Sequence, residues 1–88
     1  MKYRVVFTKN ADKRLQKLDR ADAATITKWI RKHLEGCENP RAHGKGLTSN
    51  LSGKWRYRVG DYRLIADIED ARVVILMLDV ARRDEAYR

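Results

Sequence analysis

Three arginines near the middle of the chain, Arg56, Arg58 and Arg63, have the type and spacing to bind a polyanion. Arg56 and Arg58 alternate with apolar residues, which is the period of a β-strand. Gly60 and Asp61 follow, and a glycine in the first of two turn positions is typical of a type II′ hairpin. That turn sets Arg58 opposite Arg63 on one face of the hairpin, with Arg56 two residues away on the same face.

This arginine cluster is unfavourable for folding on its own. Like charges directly opposite each other on a sheet destabilise it by a few tenths to about 1 kcal/mol. Asp67 is the one acid that the alternation places on this face, and one carboxylate cannot neutralise three guanidinium groups. Because the planar guanidinium group suits phosphate, we interpret the cluster as a site for an external anion, most simply RNA. The alternative is that the arginines are solvated on the open face of a half-covered sheet.

Further candidates for phosphate contacts lie outside the hairpin, and they are His43, Lys45, Lys54, Arg82, Arg83 and Arg88. Tyr87 stands among the C-terminal arginines, and an aromatic ring between cations can stack on an unpaired base of single-stranded RNA. The simpler interpretation is that the loop residues are ordinary solvated side chains and that Tyr87 packs against the protein.

The composition agrees with an anionic partner and excludes several classes of protein. The 88 residues carry a formal net charge of +8, which favours a phosphate backbone, an anionic membrane surface or an acidic protein. This length predicts one domain, residues 1–88. Cys37 is the only cysteine, so the chain has no intrachain disulfide and suits a reducing compartment. Without a signal peptide or an apolar run that spans a bilayer, we expect a cytoplasmic protein with no membrane partner.

The hydrophobic pattern of the N-terminal half predicts a strand and two helices. Residues 3–7 are rich in β-forming side chains and predict the strand. Thr8 and Asp19 are each followed by apolar residues at helical spacing, so both are expected to cap the start of a helix. Gly36 is placed to end the second helix, and residues 37–53 are expected to form one long loop.

The C-terminal half has the period of a sheet. After the arginine hairpin and a second turn at residues 69–71, residues 73–80 form a nearly unbroken apolar run. Such a run predicts a central strand that is covered on both faces. The last segment, from Ala81 to Arg88, is expected to be a polar, basic tail with one or two helical turns.

With its elements in this order, the chain resembles the RelE/ParE superfamily of bacterial toxins. Residues 50–65 read Asn-Leu-Ser-Gly-Lys-Trp-Arg-Tyr-Arg-Val-Gly-Asp-Tyr-Arg-Leu-Ile and look like the central hairpin of that family. Residues 80–88 read Val-Ala-Arg-Arg-Asp-Glu-Ala-Tyr-Arg and resemble its terminal segment. The resemblance implies an α+β fold, with two N-terminal helices packed on a four-stranded, mainly antiparallel sheet and a short basic C-terminal tail.

The resemblance also implies the toxin of a type II toxin–antitoxin system, which a cognate antitoxin neutralises. RelE-like members cleave messenger RNA in the ribosomal A site without metal or cofactor. The implied partners are therefore the ribosome and messenger RNA, with promoter DNA bound only through the toxin–antitoxin complex. ParE-like members inhibit DNA gyrase instead. The basic set and tail tyrosine of the RNase branch match Arg56, Arg58, Arg63, Arg83 and Tyr87, which favours RNA cleavage. A catalytically degenerate protein that binds RNA or antitoxin is the remaining alternative.

The family pattern implies a role for each matched residue. Arg63 is expected to clamp the scissile phosphate, and Arg83 to neutralise the same centre or assist the leaving 5′-oxygen. Tyr87 is expected to stack on or orient the nucleotide whose 2′-hydroxyl attacks. Arg56 and Arg58 are expected to hold the backbone, with Lys45, Lys54, Arg82 and Arg88 as further RNA contacts.

The general base is the residue that this sequence does not supply clearly. Arginine cannot serve, because its pKa lies above about 12. Many family members carry histidine where this chain has Arg82, and others carry lysine in the hairpin or a glutamate before it. Lys54 is the best substitute, although a plain phosphate contact explains it equally well. His43 could reach the site only if the long loop folded over it, and His33 is expected to be structural.

Overall fold

The computed structural model describes residues 1–48 and 52–83. Two helices pack on one face of a sheet whose strand order is β1-β5-β4-β3-β2. Within the described residues, no helix is long and apolar enough to cross a membrane. In chain order the elements are β1 (Arg4–Phe7), α1 (Lys9–Gln16), α2 (Arg20–His33), a short 3-10 helix (Pro40–Ala42), β2 (Lys45–Gly46), β3 (Trp55–Val59), β4 (Tyr62–Glu69) and β5 (Val74–Arg82).

Both helices begin where the sequence predicts. The side chain of Thr8 accepts a hydrogen bond from the backbone N–H of Ala11, and that of Asp19 accepts one from Asp22. Each cap satisfies a backbone donor that the first helical turn leaves without a partner. The helices then bury their apolar faces on the sheet, with Ala11, Ile26, Ile30 and Leu34 in the core.

The predicted hairpin register is confirmed. Arg58 pairs with Arg63, and the flanking pairs are Tyr57 with Leu64 and Val59 with Tyr62. Gly60 has a φ of 58°, whereas Asp61 does not have a positive φ, as a type II′ turn requires. Because side chains alternate across a strand, the aromatic and aliphatic residues of the hairpin face the helices and the arginines face away from them.

Strand β5 is an inner strand between β1 and β4, although the middle strand of the five is β4. It runs parallel to β1 and antiparallel to β4. The ladder with β4 contains a bulge, since Ile65 pairs with Asp79 while the next residue, Ala66, pairs with Met77. Leu78 is therefore an extra residue in β5. It shifts the alternation of side chains by one position, so that Val80 faces the core as Met77 does.

Two expectations about the sheet were wrong. The sheet has five strands rather than four, because Lys45–Gly46 pairs with β3 inside the segment expected to be one long loop. The C-terminal tail starts later than Ala81, because Ala81 and Arg82 pair with Arg63 and Tyr62 and so extend β5. Residues 84–88, which make up the rest of that tail, lie outside the described residues.

Two aromatic residues of β3, the buried Tyr57 and the partly buried Trp55, hold the loop before β2 against the sheet. The hydroxyl of Tyr57 donates to the carbonyl of Pro40 at 2.7 Å, and the indole N–H of Trp55 donates to the carbonyl of His43 at 2.7 Å. Burial raises the pKa of Tyr57, so its hydroxyl remains a donor. Gly44 follows directly, and a Cβ there would overlap the carbonyl oxygen of Arg56. The absence of a side chain therefore lets β2 form.

Asp70 ties three distant segments together at the surface. Its carboxylate accepts two hydrogen bonds from Arg41, at 3.1 and 3.0 Å, and one from the hydroxyl of Tyr3 at 2.6 Å. The bonds from Arg41, and then that from Tyr3, lower the pKa of Asp70. A carboxylate whose pKa is lower in the folded state stabilises the fold above its unfolded pKa, about 3.9, and loses this contribution as the pH falls through the folded value.

We therefore expect Asp70→Asn to destabilise the protein at neutral pH and to make little difference in acid. The difference in free energy of unfolding between wild type and variant should stay constant from about pH 8 to 5 and close below about pH 4. Urea unfolding over this range measures it. Glu38→Gln removes an exposed carboxylate elsewhere and serves as control. An Asp70→Asn difference that persists unchanged at the acid end would contradict the assignment.

Candidate nucleic-acid interface

Two pairs of like charges stand side by side on the face of the sheet away from the helices. Lys45 lies directly opposite Arg56, and Arg58 lies directly opposite Arg63. Lys45 and Arg58 are exposed, whereas Arg56 and Arg63 are partly buried. We call these four residues the basic face. The register thus places Lys45, which sequence spacing assigned to a loop, on the same face of the sheet as the three hairpin arginines.

The acids near the basic face are engaged by other cations. Asp67 forms an ion pair with Lys54 at 2.8 Å, and Glu69 forms one with Arg72 at 2.7 Å. Asp79, opposite Ile65, contacts Arg14 of α1 at 3.4 Å. Within the described residues, Arg56 and Arg58 make no ion pair. The charges of Arg56 and Arg58 are therefore not neutralised by a carboxylate of the described residues.

A cleft of about 420 Å³ continues the basic face at the turn end of the hairpin. Its lining is Asp61, Arg63, Arg82 and Arg83, so three guanidinium groups face one carboxylate. The backbone N–H of Arg83 donates to the carbonyl of Asp61 at 2.8 Å, which fixes the end of β5 against the turn. Ala81 lies directly opposite Arg63. We call this space the arginine cleft.

Arg82 forms the boundary between the two sides of the sheet. It pairs with Tyr62, and its guanidinium carbon lies 5.6 Å from the centre of the Tyr62 ring, on the helix side. The hydroxyl of Tyr62 donates to Asp22 at 2.8 Å, and this bond raises the pKa of Tyr62. Arg82 is therefore at the rim of the arginine cleft and does not belong to the basic face.

The candidate bases lie away from the arginine cleft or are already engaged. The ring of His43 packs among aromatic residues on the helix side, 4.8 Å from the ring of His33 and 5.9 Å from that of Trp29. The ammonium group of Lys54 forms an ion pair with Asp67. This geometry gives no support to Lys54 as a proton acceptor.

The structure thus brings together most of the predicted residues that it describes. Arg63 and Arg83 share the arginine cleft, and Arg56, Arg58 and Lys45 lie along the basic face beside it. Tyr87 and Arg88 lie outside the described residues. Asp61, which lines the cleft, and Ala81, which lies opposite Arg63, were not predicted. The turn motif already placed Asp61 beside Arg63, whereas the position of Ala81 depends on the bulge in β5.

Comparison with known proteins identifies the family. Residues 5–87 match the family described as "ParE toxin of type II toxin-antitoxin system, parDE". The chain is 34% identical to Toxin RelE of Mycobacterium tuberculosis over 86 residues, which cover 98% of this chain and 87% of that protein. It is also 33% identical to Toxin RelG of the same organism over 88 residues, which cover 100% of this chain and 99% of that one.

The fold is similar to that of a solved toxin as well. The toxin–antitoxin complex RelBE2 from M. tuberculosis contains a chain that superposes with a TM-score of 0.84 at 31% identity. The superposition covers 94% of this chain and 93% of that one. The family match spans nearly the whole chain and agrees with the two curated relatives. This chain is therefore a toxin of the type II toxin–antitoxin class and belongs to the RelE/ParE superfamily.

Proposed function

We propose that this toxin is an endoribonuclease that cleaves messenger RNA in the A site of the ribosome and so inhibits translation. The observation that carries the proposal is the basic face, where two like-charge pairs stand side by side. Each pair costs folding energy unless an anion lies between its members. A nucleic-acid backbone supplies several anions in a row, and guanidinium groups bind phosphate through two parallel hydrogen bonds.

In the proposed reaction, the 2′-hydroxyl of one nucleotide attacks the neighbouring phosphate. A bond from phosphorus to the 2′-oxygen forms while the bond to the 5′-oxygen breaks, and the hydroxyl proton ends on the departing 5′-oxygen. The products are a 2′,3′-cyclic phosphate and a 5′-hydroxyl. Arg63 and Arg83 line the arginine cleft, so both are suited to hold the phosphate and to stabilise the negative charge that grows on its oxygens.

The remaining residues would hold and orient the strand. Arg56 and Arg58 extend the positive potential along β3, with Lys45 opposite the first of them. Tyr87 keeps the role that the family resemblance implies, which is to stack on or orient the attacking nucleotide. Arg88 adds a further backbone contact in the same proposal.

No residue of the described part of the site has the character of a strong general base, since Lys54 is engaged by Asp67. We therefore assign the rate enhancement to positioning and to charge stabilisation. Holding the 2′-oxygen in line with the scissile bond lowers the activation free energy, by about 7 kcal/mol or more in favourable cases. The ribosome is the partner that would present the message in this geometry, which places the activity in the cytoplasm.

A cognate antitoxin is the other partner in this proposal. The RelBE2 structure from M. tuberculosis is a toxin–antitoxin complex, and its toxin-like chain shares this fold. A chain with a formal net charge of +8 favours an acidic or amphipathic antitoxin, which would inhibit the toxin by covering the basic face or displacing the tail.

Gyrase inhibition is the second candidate, because the matching family is described by its ParE toxins. Two assays with the same purified protein separate the candidates, one on translation of a reporter message and one on supercoiling by gyrase. We expect translation to stop with the message fragmented, and supercoiling to continue. Arg58→Ala should weaken the first effect. Arg72→Ala, which removes an exposed arginine paired with Glu69, is the control. Blocked supercoiling with an intact message would assign the protein to the gyrase inhibitors.

A further inference from the structure

A second cleft lies on the helix side of the sheet, at the same end as the arginine cleft. It measures about 230 Å³ and lies between the end of α1 and the last residues of β5. Its walls include three cationic and three largely hydrophobic side chains, which are Arg14, Lys17, Arg82, Leu18, Tyr62 and Val80. We call it the α1 cleft. The basic face and its reaction make no use of this space.

The two clefts share a wall. Arg82 lines both the arginine cleft and the α1 cleft, so the two clefts are neighbours at the end of β5. Tyr62 orients Arg82. The guanidinium group of Arg82 lies over the ring of Tyr62, and the hydroxyl of Tyr62 donates a hydrogen bond to Asp22. A cation that is already oriented loses little side-chain entropy when it binds an anion.

The other two cations are supplied by α1. The Nε of Arg14 donates to the carbonyl of Val80 at 3.1 Å and contacts Asp79 at 3.4 Å, so it holds α1 against the unpaired edge of β5. Lys17, at the C-terminal cap of α1, is exposed and makes no ion pair within the described residues. The last carbonyls of a helix favour a cation there and leave its charge available.

We propose that the α1 cleft binds the phosphodiester backbone of the same RNA, so that the strand runs from the basic face past Arg82 to Lys17. This inference rests on the proposed function. Continuity with the arginine cleft favours RNA over an acidic peptide, because one polymer with a charge on every unit fills both spaces. The partly exposed, apolar side chain of Leu18 suits the sugar carbons between successive phosphates.

The consequence is that affinity depends on the length of the RNA. A strand of about four nucleotides should fill the basic face alone, whereas one of about twelve should also occupy the α1 cleft. Each additional phosphate contact steepens the dependence of affinity on salt, by about 0.7 in the logarithmic slope for a single strand. The longer strand should therefore bind more tightly and lose affinity faster as salt is added.

The test compares Lys17→Glu with Lys28→Glu. Both change the net charge equally at an exposed position, Lys17 at the C-terminal cap of α1 and Lys28 within α2, but Lys28 does not line either cleft. The probes are RNAs of about four and about twelve nucleotides, with the 2′-hydroxyls methylated to prevent cleavage, in fluorescence anisotropy across a salt series. Circular dichroism confirms that both variants are folded.

We expect Lys17→Glu to lower the affinity for the longer RNA on the order of fivefold and to reduce the slope of log affinity against log salt by about 0.7. The affinity of Lys28→Glu should stay close to that of wild type. If both variants lowered the affinity equally, the loss would be explained by net charge alone, and the proposal would be overturned. So would an unchanged affinity for the longer RNA with a loss of binding to an acidic antitoxin peptide. In both of those cases binding of the short RNA by wild type leaves the proposed function standing. Failure of wild type to bind either RNA would overturn this proposal alone, because in the proposed function the ribosome presents the message.

Discussion

Replacing Arg63 with alanine is expected to lower the rate of message cleavage by about 10²- to 10³-fold, the usual cost of removing one preorganised donor from a developing oxyanion. Arg63 lines the arginine cleft and stands opposite Arg58 on the adjoining strand. Its side chain is partly buried by the sheet, so its position is set before RNA arrives. Arg63 is the only cation in β4, and the loss should fall on the rate more than on affinity.

Single-turnover cleavage of a defined message on ribosomes measures this effect, and growth arrest on induction gives a second readout. Arg63→Lys keeps the charge but not the planar fork, so we expect it to recover only part of the rate. Arg72→Ala provides the control for removing an arginine outside both clefts. An Arg63→Ala protein that arrests growth as fast as wild type would remove Arg63 from the site.

Gly44→Ala should be the most damaging small substitution for the basic face. Its φ of 76° lies in the left-handed region, which costs alanine roughly 1–2 kcal/mol. The new Cβ would also overlap the carbonyl oxygen of Arg56 and crowd the indole nitrogen of Trp55. Relieving this overlap requires β2 to separate from β3, which also breaks the bond from Trp55 to His43. We expect a total loss of about 2–4 kcal/mol in the free energy of unfolding.

Urea unfolding measures the stability of this variant, and Gly36→Ala supplies a matched control. Gly36 has a φ of 78°, but a Cβ there would meet nothing within 4 Å. Both variants carry the strain of a positive φ. The difference between their free energies of unfolding therefore measures the cost of the close contact between Gly44 and β3. Cleavage should fall as well, because Lys45 leaves its place opposite Arg56. Equal losses of stability in the two variants would contradict this explanation.

The part of the site that the sequence predicted rests on local rules. A two-residue turn with glycine first, between strands of alternating pattern, fixes the pairing of Arg58 with Arg63 without reference to the rest of the fold. The caps at Thr8 and Asp19 are local in the same sense, since each side chain bonds to a backbone group three residues away. Turn and cap chemistry of this kind can be identified directly in one sequence.

The features that could not be predicted depend on contacts between distant segments. The pairing of Lys45 with Arg56 requires Gly44 to approach a strand more than ten residues later, and a glycine in a polar segment looks the same whether or not it makes such an approach. The position of Ala81 opposite Arg63 depends on the extra residue in β5, which apolar periodicity does not reveal in a continuous hydrophobic run. Both features lie at the site.

Primer extension on a defined message, with purified protein added to ribosomes stalled at a known codon, tests the proposed function most directly. We predict a new end within the codon in the A site, absent when Arg63→Ala replaces the wild-type protein. An intact message with the protein bound to the ribosome would contradict cleavage and favour a degenerate toxin that binds RNA. An intact message without ribosome binding would contradict the ribosomal target and favour gyrase.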